Sequence, residues 1–142
     1  MRLILKGLEG VPKVEHLFKK MLKCICVNGG GSDMEWTKFN THGESSNHAF
    51  EVMCNILFES WCKSEYNDHL KYFSFVNGSG GDGGVEAYAT LESGEVIGVQ
   101  SKWFPDKMNT NQFNQIEKSF NTAVKVRPEM IRYIVCIPRD FT

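Results

Sequence analysis

Five side chains in this sequence have the types and spacing to handle a phosphate ester beside a divalent cation: Glu51, Asp82, Glu86, Gln100 and Lys102. Hydrolysis of a phosphodiester calls for a cation that polarises the phosphate and makes hydroxide available near neutral pH. Hard cations such as Mg2+ (or Mn2+) take one or two carboxylates and complete their shell with carbonyl oxygens and water. Glu86 or Asp82, the Gln100 amide oxygen and a backbone carbonyl supply such a set. The Lys102 ammonium suits the holding of an attacking water and the offsetting of charge that builds in the transition state. Glu51 can reach the metal directly or through water. Taken singly, each has a commoner explanation: Lys102 a solvated charge at a strand end, Glu86 an outward-facing strand residue, Asp82 a turn residue between glycines. Gln100 is the odd one, because the run VIGVQSKWF would pack better with an aliphatic residue there. The ordered combination carries the reading.

For these groups to meet, the segments that bear them must fold in register. From Ser46 onward, Phe50, Met53, Cys54, Leu57 and Trp61 recur at the spacing of one buried helix face. Ser45, Ser46 and Asn47 offer N-caps, and Glu51 lies about 100° round from Phe50. Residues 71–76, 85–91 and 95–104 read as three strands. The first two are separated by NGSGGDGG, which has five glycines in eight residues. The last two are separated by the turn ESG. A three-residue loop ending in Gly predicts a bulged hairpin in which Leu91 faces Glu95, and counting back puts Glu86 opposite Gln100. Gln100 and Lys102 then share a face, their Cα atoms about 7 Å apart. A loop one residue longer or shorter would break this convergence.

After Pro105 the chain turns polar. Residues 110–126 return to helical spacing through Phe113, Ile116, Phe120, Ala123 and Val124, and Pro128 stops them. Residues 131–138, IRYIVCIP, form a near-continuous apolar run, as in a strand buried on both faces of a parallel arrangement. The expected order is helix, three strands, helix, strand, with a right-handed crossover into the last strand: a small α/β sandwich, a mixed sheet flanked by helices.

A chain of 142 residues, 42% hydrophobic and 23% charged, suits one globular domain. The net charge of -1 is low for a free-standing nucleic-acid binder, although a nuclease needs carboxylates at its centre and can borrow basic surface from another domain. The five cysteines, Cys24, Cys26, Cys54, Cys62 and Cys136, contain no CxxC pair. Scattered thiols of this kind suit a reducing cytoplasm, and Cys54, Cys62 and Cys136 read as core fillers. Cys24-x-Cys26 lacks a second pair at zinc spacing. No stretch approaches the roughly 18 apolar residues of a membrane span, so no membrane partner is expected. Residues 1–33 differ from the rest. A Lys-rich amphipathic piece, VEHLFKKMLKCICV, leads into the linker-like NGGGSD, and this stretch reads as an N-terminal extension that need not be native. The patterned domain begins at Met34 and runs to 142.

The segment GSGGDGGVEAYATLESGEVIGVQSKWF resembles the core of Mrr-like restriction endonucleases of the PD-(D/E)XK superfamily, in the variant whose last motif is Gln-x-Lys. HAFEVMCNILFESW resembles that family's first helix with its acidic residue. NQIEKSFNTAVKVRPEMIRYIVCIPRD is similar to the helix and strand that follow in a subset found at the N-terminus of large, multidomain anti-phage ATPases. The resemblance covers residues 34–142. It implies a restriction-endonuclease-like αβββαβ core, Mg2+ or Mn2+ as cofactor, and hydrolysis of double-stranded DNA as the effector step of a restriction or defence system. Alternatives on the same fold are an RNA nuclease and a non-catalytic nucleic-acid-binding or scaffold domain. Two departures stand out: the family usually has Asp where Glu86 stands, and Gln100 replaces the superfamily's more common acid, which raises the importance of Glu51. The resemblance would continue beyond IPRDFT, so more chain is expected, with a C-terminal regulatory ATPase or sensor module and homo-oligomerisation. Lys107, Gln112, Gln115 and Lys118 are candidate nucleic-acid contacts, within a positive bias that includes Lys125, Arg127 and Arg132. A polar helix entrance explains the two glutamines equally well.

Overall fold

In the computed structural model, which describes residues 41–76, 83–106 and 109–138, the elements follow in the expected order. They are α1 (Ser46–Tyr66), β1 (Leu70–Phe75), β2 (Ala87–Leu91), β3 (Val96–Ser101), α2 (Thr110–Val126) and β4 (Met130–Cys136). The described residues make an α/β structure: one mixed sheet ordered β1-β2-β3-β4, with β1, β2 and β3 antiparallel in turn and β4 parallel to β3. The extension at 1–33, with Cys24 and Cys26, lies outside the described residues.

Ser45 opens α1 by accepting a hydrogen bond from the His48 amide, at 3.2 Å. The buried stripe of this helix is Phe50, Cys54, Phe58 and Cys62, not the expected set in full. Met53, Leu57 and Trp61 are only half-buried. The apolar residues Phe58 and Cys62 stand beside Leu57 and Trp61, so either flank of the helix could have faced inward. The four-residue spacing won because it lays the helix along Ala87, Ala89, Ile97, Val99 and Cys136 of the sheet. A capping box opens α2: Asn109 accepts from the Gln112 amide and Gln112 accepts from the Asn109 amide, both at 3.0 Å. Its Ile116, Phe120 and Ala123 pack on the other face with Val96, Tyr133 and Val135. Phe113, expected in that stripe, is 40% exposed, because it sits in the first turn, ahead of the part of α2 that meets the sheet.

The β2–β3 hairpin has the predicted register. The Leu91 amide donates to Glu95 O and the Gly94 amide to Leu91 O, both at 2.9 Å, and Gly94 takes a φ of +89°. The ladder then runs from Thr90↔Val96 to Ala87↔Val99.

Chain direction decides where the chemistry can sit. A three-residue turn, Asn67–His69, joins α1 to β1, so α1 runs against β1. The start of α1, the start of β2, the ends of β3 and β4 and the start of α2 therefore gather at one end of the sheet. The edge-to-face contact of Phe50 with Trp103, at 5.4 Å between ring centroids, joins α1 to the segment after β3 at that end. Crevices beyond the carboxyl ends of parallel strands are where open α/β sheets bind ligands.

Candidate active site at the carboxyl end of the central strands

Glu86 stands one residue ahead of β2 and is 8% exposed. Its amide donates to Val99 O at 2.8 Å, while Ala87 has Val99 as its Cα partner. Two successive residues thus address one, a bulge-like irregularity of the kind that re-aims a side chain. The carboxylate turns along the end of β3. Its Oε1 accepts from Gln100 Nε2 at 2.6 Å, and its Oε2 accepts from the Ser101 amide at 2.9 Å and from the Ser101 hydroxyl. The register count placed Gln100 across from Glu86, and the side chains do meet. The backbone bond to Val99 is what brings Ser101 into the same cluster.

Gln100, 7% exposed, also points Nε2 at the Ser101 carbonyl, at 3.3 Å. Glu86 Oε1 and Ser101 O therefore converge on one point, now held by an amide nitrogen. A hard cation there would find a carboxylate and a carbonyl oxygen, and Gln100 would have to present its amide oxygen in place of its nitrogen. The all-oxygen donor set fits Mg2+ or Mn2+. Among the described residues no group of three or more His, Cys, Asp and Glu could hold a metal ion. Asp82 lies outside the described residues.

Electrostatics tie in two more of the expected residues. Burial pushes the Glu86 carboxyl up to about 7. The Ser101 hydroxyl and amide pull it down, the Glu51 carboxylate pushes it up and the Lys102 ammonium pulls it down. Glu51 of α1 and Lys102 just past β3 are both half-buried. The Lys102 amide donates to Cys136 O at 2.9 Å, which fixes its backbone between β3 and β4. Beneath them Cys54 and Cys136 are buried. The Cys54 thiol is pushed up, first by its hydrogen bond to Cys136 and then by burial.

The nucleic-acid contacts fare unevenly. Lys107 lies outside the described residues. Gln112 is used in the capping box of α2. Gln115 and Lys118 are exposed on α2, and Lys118 borders a shallow surface groove with Asn114, Asn121 and Lys125. Arg127 lies over the Tyr88 ring at 4.6 Å, and Arg132 over Trp61 and Tyr66 at 6.0 and 5.7 Å. Both guanidiniums lie against aromatic rings, and Arg132 also faces the Glu65 carboxylate at 4.0 Å. Ser101 is the residue that sequence reasoning passed over. Its signal was a small hydroxyl at the end of a strand buried throughout.

One stability effect follows directly. A carboxyl raised from 4.5 to about 7 by folding favours the folded state below pH 4.5, and that contribution is lost as pH rises through 7. The expected loss is on the order of 3 kcal/mol. Urea unfolding from pH 5 to 8 should therefore show wild type losing stability relative to Glu86→Gln. Parallel pH profiles would mean that Glu86 ionises normally.

No protein-family model matches this chain, and neither does any curated protein or solved structure.

Proposed function

We propose that this domain is a metal-dependent endonuclease of the PD-(D/E)XK type, acting on double-stranded DNA. One observation carries the reading: a buried carboxylate, Glu86, is bonded to the amide of Gln100 at the end of a central strand, with Lys102 and Glu51 in electrostatic reach. The αβββαβ order, the Gly-rich segment ahead of β2 and Gln-x-Lys at the end of β3 support the same reading.

In this scheme Glu86, the Ser101 carbonyl and the Gln100 amide oxygen would hold the cation, with Asp82 as a further ligand and Glu51 acting directly or through water. The bound cation supplies Lewis acidity toward a phosphate oxygen and a lowered pKa for water. The chain's own part would be to hold the carboxylate rigid through Ser101 and to present Lys102 to the water and the developing phosphorane charge. Gln115, Lys118 and Lys107 would meet the DNA backbone. With a net charge of -1, phosphate neutralisation by this domain alone is weak, which favours an oligomer or an added module as the DNA-holding device. Cleavage by the dilute domain should accordingly be slow and should recover on fusion to a constitutive oligomer.

A second reading, a non-catalytic scaffold, draws on the saturation of Glu86 by three donors. Plasmid assays separate the two. With Mg2+ or Mn2+ the domain fused to a constitutive oligomer should nick or linearise the supercoiled form, and EDTA should stop it. Glu86→Ala and Asp82→Ala should each impair cleavage, Glu86→Ala more. Retardation of DNA without cleavage under any divalent metal would favour the scaffold, and cleavage of RNA alone would move the substrate class.

A further inference from the structure

The chain entering β2 is gripped by the residue that ends α2 and by a side chain of β4. Arg127, just past α2, donates from Nη1 to Gly83 O at 3.2 Å, and the Tyr133 hydroxyl of β4 donates to Gly84 O at 2.7 Å. These are successive carbonyls, two and three residues ahead of Glu86. Both clamping groups are themselves held. The Arg127 guanidinium stacks on Tyr88, two residues beyond Glu86. Tyr133 is 1% exposed, packs edge-to-face on Phe120 at 5.4 Å and has Ser119 as a further hydroxyl neighbour. Gly83 and Gly84 take φ of +59° and +75°. A Cβ on Gly83 would stand 2.6 Å from Arg127 Nη1, and one on Gly84 would stand 2.0 Å from Ser119 O. The main chain is thus pressed against α2 with its carbonyls turned to two fixed donors. Val85, fully buried, follows at once, and then the irregularity that re-aims Glu86.

We propose that Arg127 and Tyr133 are positioning residues: they fix the Gly83–Gly84 carbonyls and so set the direction from which Glu86 meets Gln100 and Ser101. The donors described to the Glu86 carboxylate are Gln100 and Ser101, and the charge of that carboxylate also reaches the Tyr133 hydroxyl. The geometric influence of the clamp passes through the backbone leading to Glu86, whose direction a rigid pair of hydrogen bonds defines and a loose one does not. That the positioned group serves a metal-dependent reaction rests on the function proposed above; the clamp itself does not.

The test keeps the two apart. Tyr133→Phe removes one donor and retains the ring against Phe120. Arg127→Gln removes the other and retains a polar side chain, and so remains informative if the first variant folds poorly. The primary readout is NMR of the two nitrogen donors to Glu86, the Gln100 side-chain amide and the Ser101 backbone amide. In each folded variant both resonances should shift, and the Ser101 amide should exchange with solvent about tenfold faster, while amides of β1 stay as in wild type. A merely structural loss would move amides throughout the sheet alike. Unchanged Gln100 and Ser101 signals in a folded variant, or changes spread evenly over the sheet, would overturn the proposal. Mn2+ binding, followed by electron paramagnetic resonance, is the second arm, with Glu86→Gln as control. Weaker Mn2+ binding in the clamp variants supports the link to the metal-dependent reading. No Mn2+ binding even by wild type, with the NMR changes intact, would sink that reading and leave the clamp standing.

Discussion

Lys102→Ala should abolish DNA cleavage while leaving the fold and DNA binding nearly unchanged. In the proposed reaction the ammonium would act where charge develops, and removing a single such group from a preorganised site lowers turnover by about 100- to 1,000-fold. It is half-buried just past β3 and holds no core position, so its loss should leave the protein folded, at a modest cost from the Glu86 carboxylate whose charge it offsets. The loss should fall on kcat rather than on DNA affinity, as for a group that acts mainly in the transition state. Lys102→Arg should recover little, because a planar guanidinium does not replace a compact point charge. Single-turnover cleavage with Mg2+, alongside a mobility-shift assay, reads both quantities. Wild-type turnover by Lys102→Ala would remove this residue, and with it the active-site assignment, from the proposed function.

Gly84→Ala should be the most destabilising of the small substitutions considered. The added Cβ would lie 2.0 Å from Ser119 O and 2.7 Å from the Ala123 amide nitrogen, both backbone atoms of α2 that have no room to retreat. The φ of +75° adds a cost of about 1–2 kcal/mol for any L side chain. Relief requires the chain to lift from α2, which breaks the bond from the Tyr133 hydroxyl. A total above about 4 kcal/mol is expected, in the range reserved for identifiable packing failures. Gly94→Ala is the matched control. Its φ is +89°, and nothing lies within 4 Å of its Cβ position, so it carries the backbone cost alone. Urea midpoints of the two variants isolate the packing contribution by difference. Equal destabilisation would mean that Gly84 matters only for its backbone angle and that the close approach to α2 is relieved at little cost.

Much of the frame was legible in the sequence because it rests on local physics. The boundaries of α2, Thr110–Val126, are those its spacing and flanking Pro predicted. The hairpin register followed from one short loop, since a three-residue ESG turn leaves Leu91 no partner but Glu95. The parallel placement of β4 followed from its near-continuous apolar run. Glu86, Gln100 and Lys102 could be named as neighbours because a hairpin turns chain spacing into spatial spacing.

What tertiary structure decided was everything that depends on which surface covers which. The buried stripe of α1 chose Phe58 and Cys62 over Leu57 and Trp61, because periodicity describes a face only to within the width of its apolar arc. Arg127 and Arg132, counted as charge, are spent on Tyr88, Trp61 and Tyr66, contacts that join residues far apart in the chain. The role of Ser101 depended on the irregularity at Glu86, which departs from simple alternation by sharing Val99 between two residues. Strand alternation predicts directions only while the ladder is regular, and here it ends where the candidate chemistry begins. The upward shift of the Glu86 carboxyl arises first from its burial. No segment of the sequence contains that burial by itself; it exists only once the layers close over the strand ends.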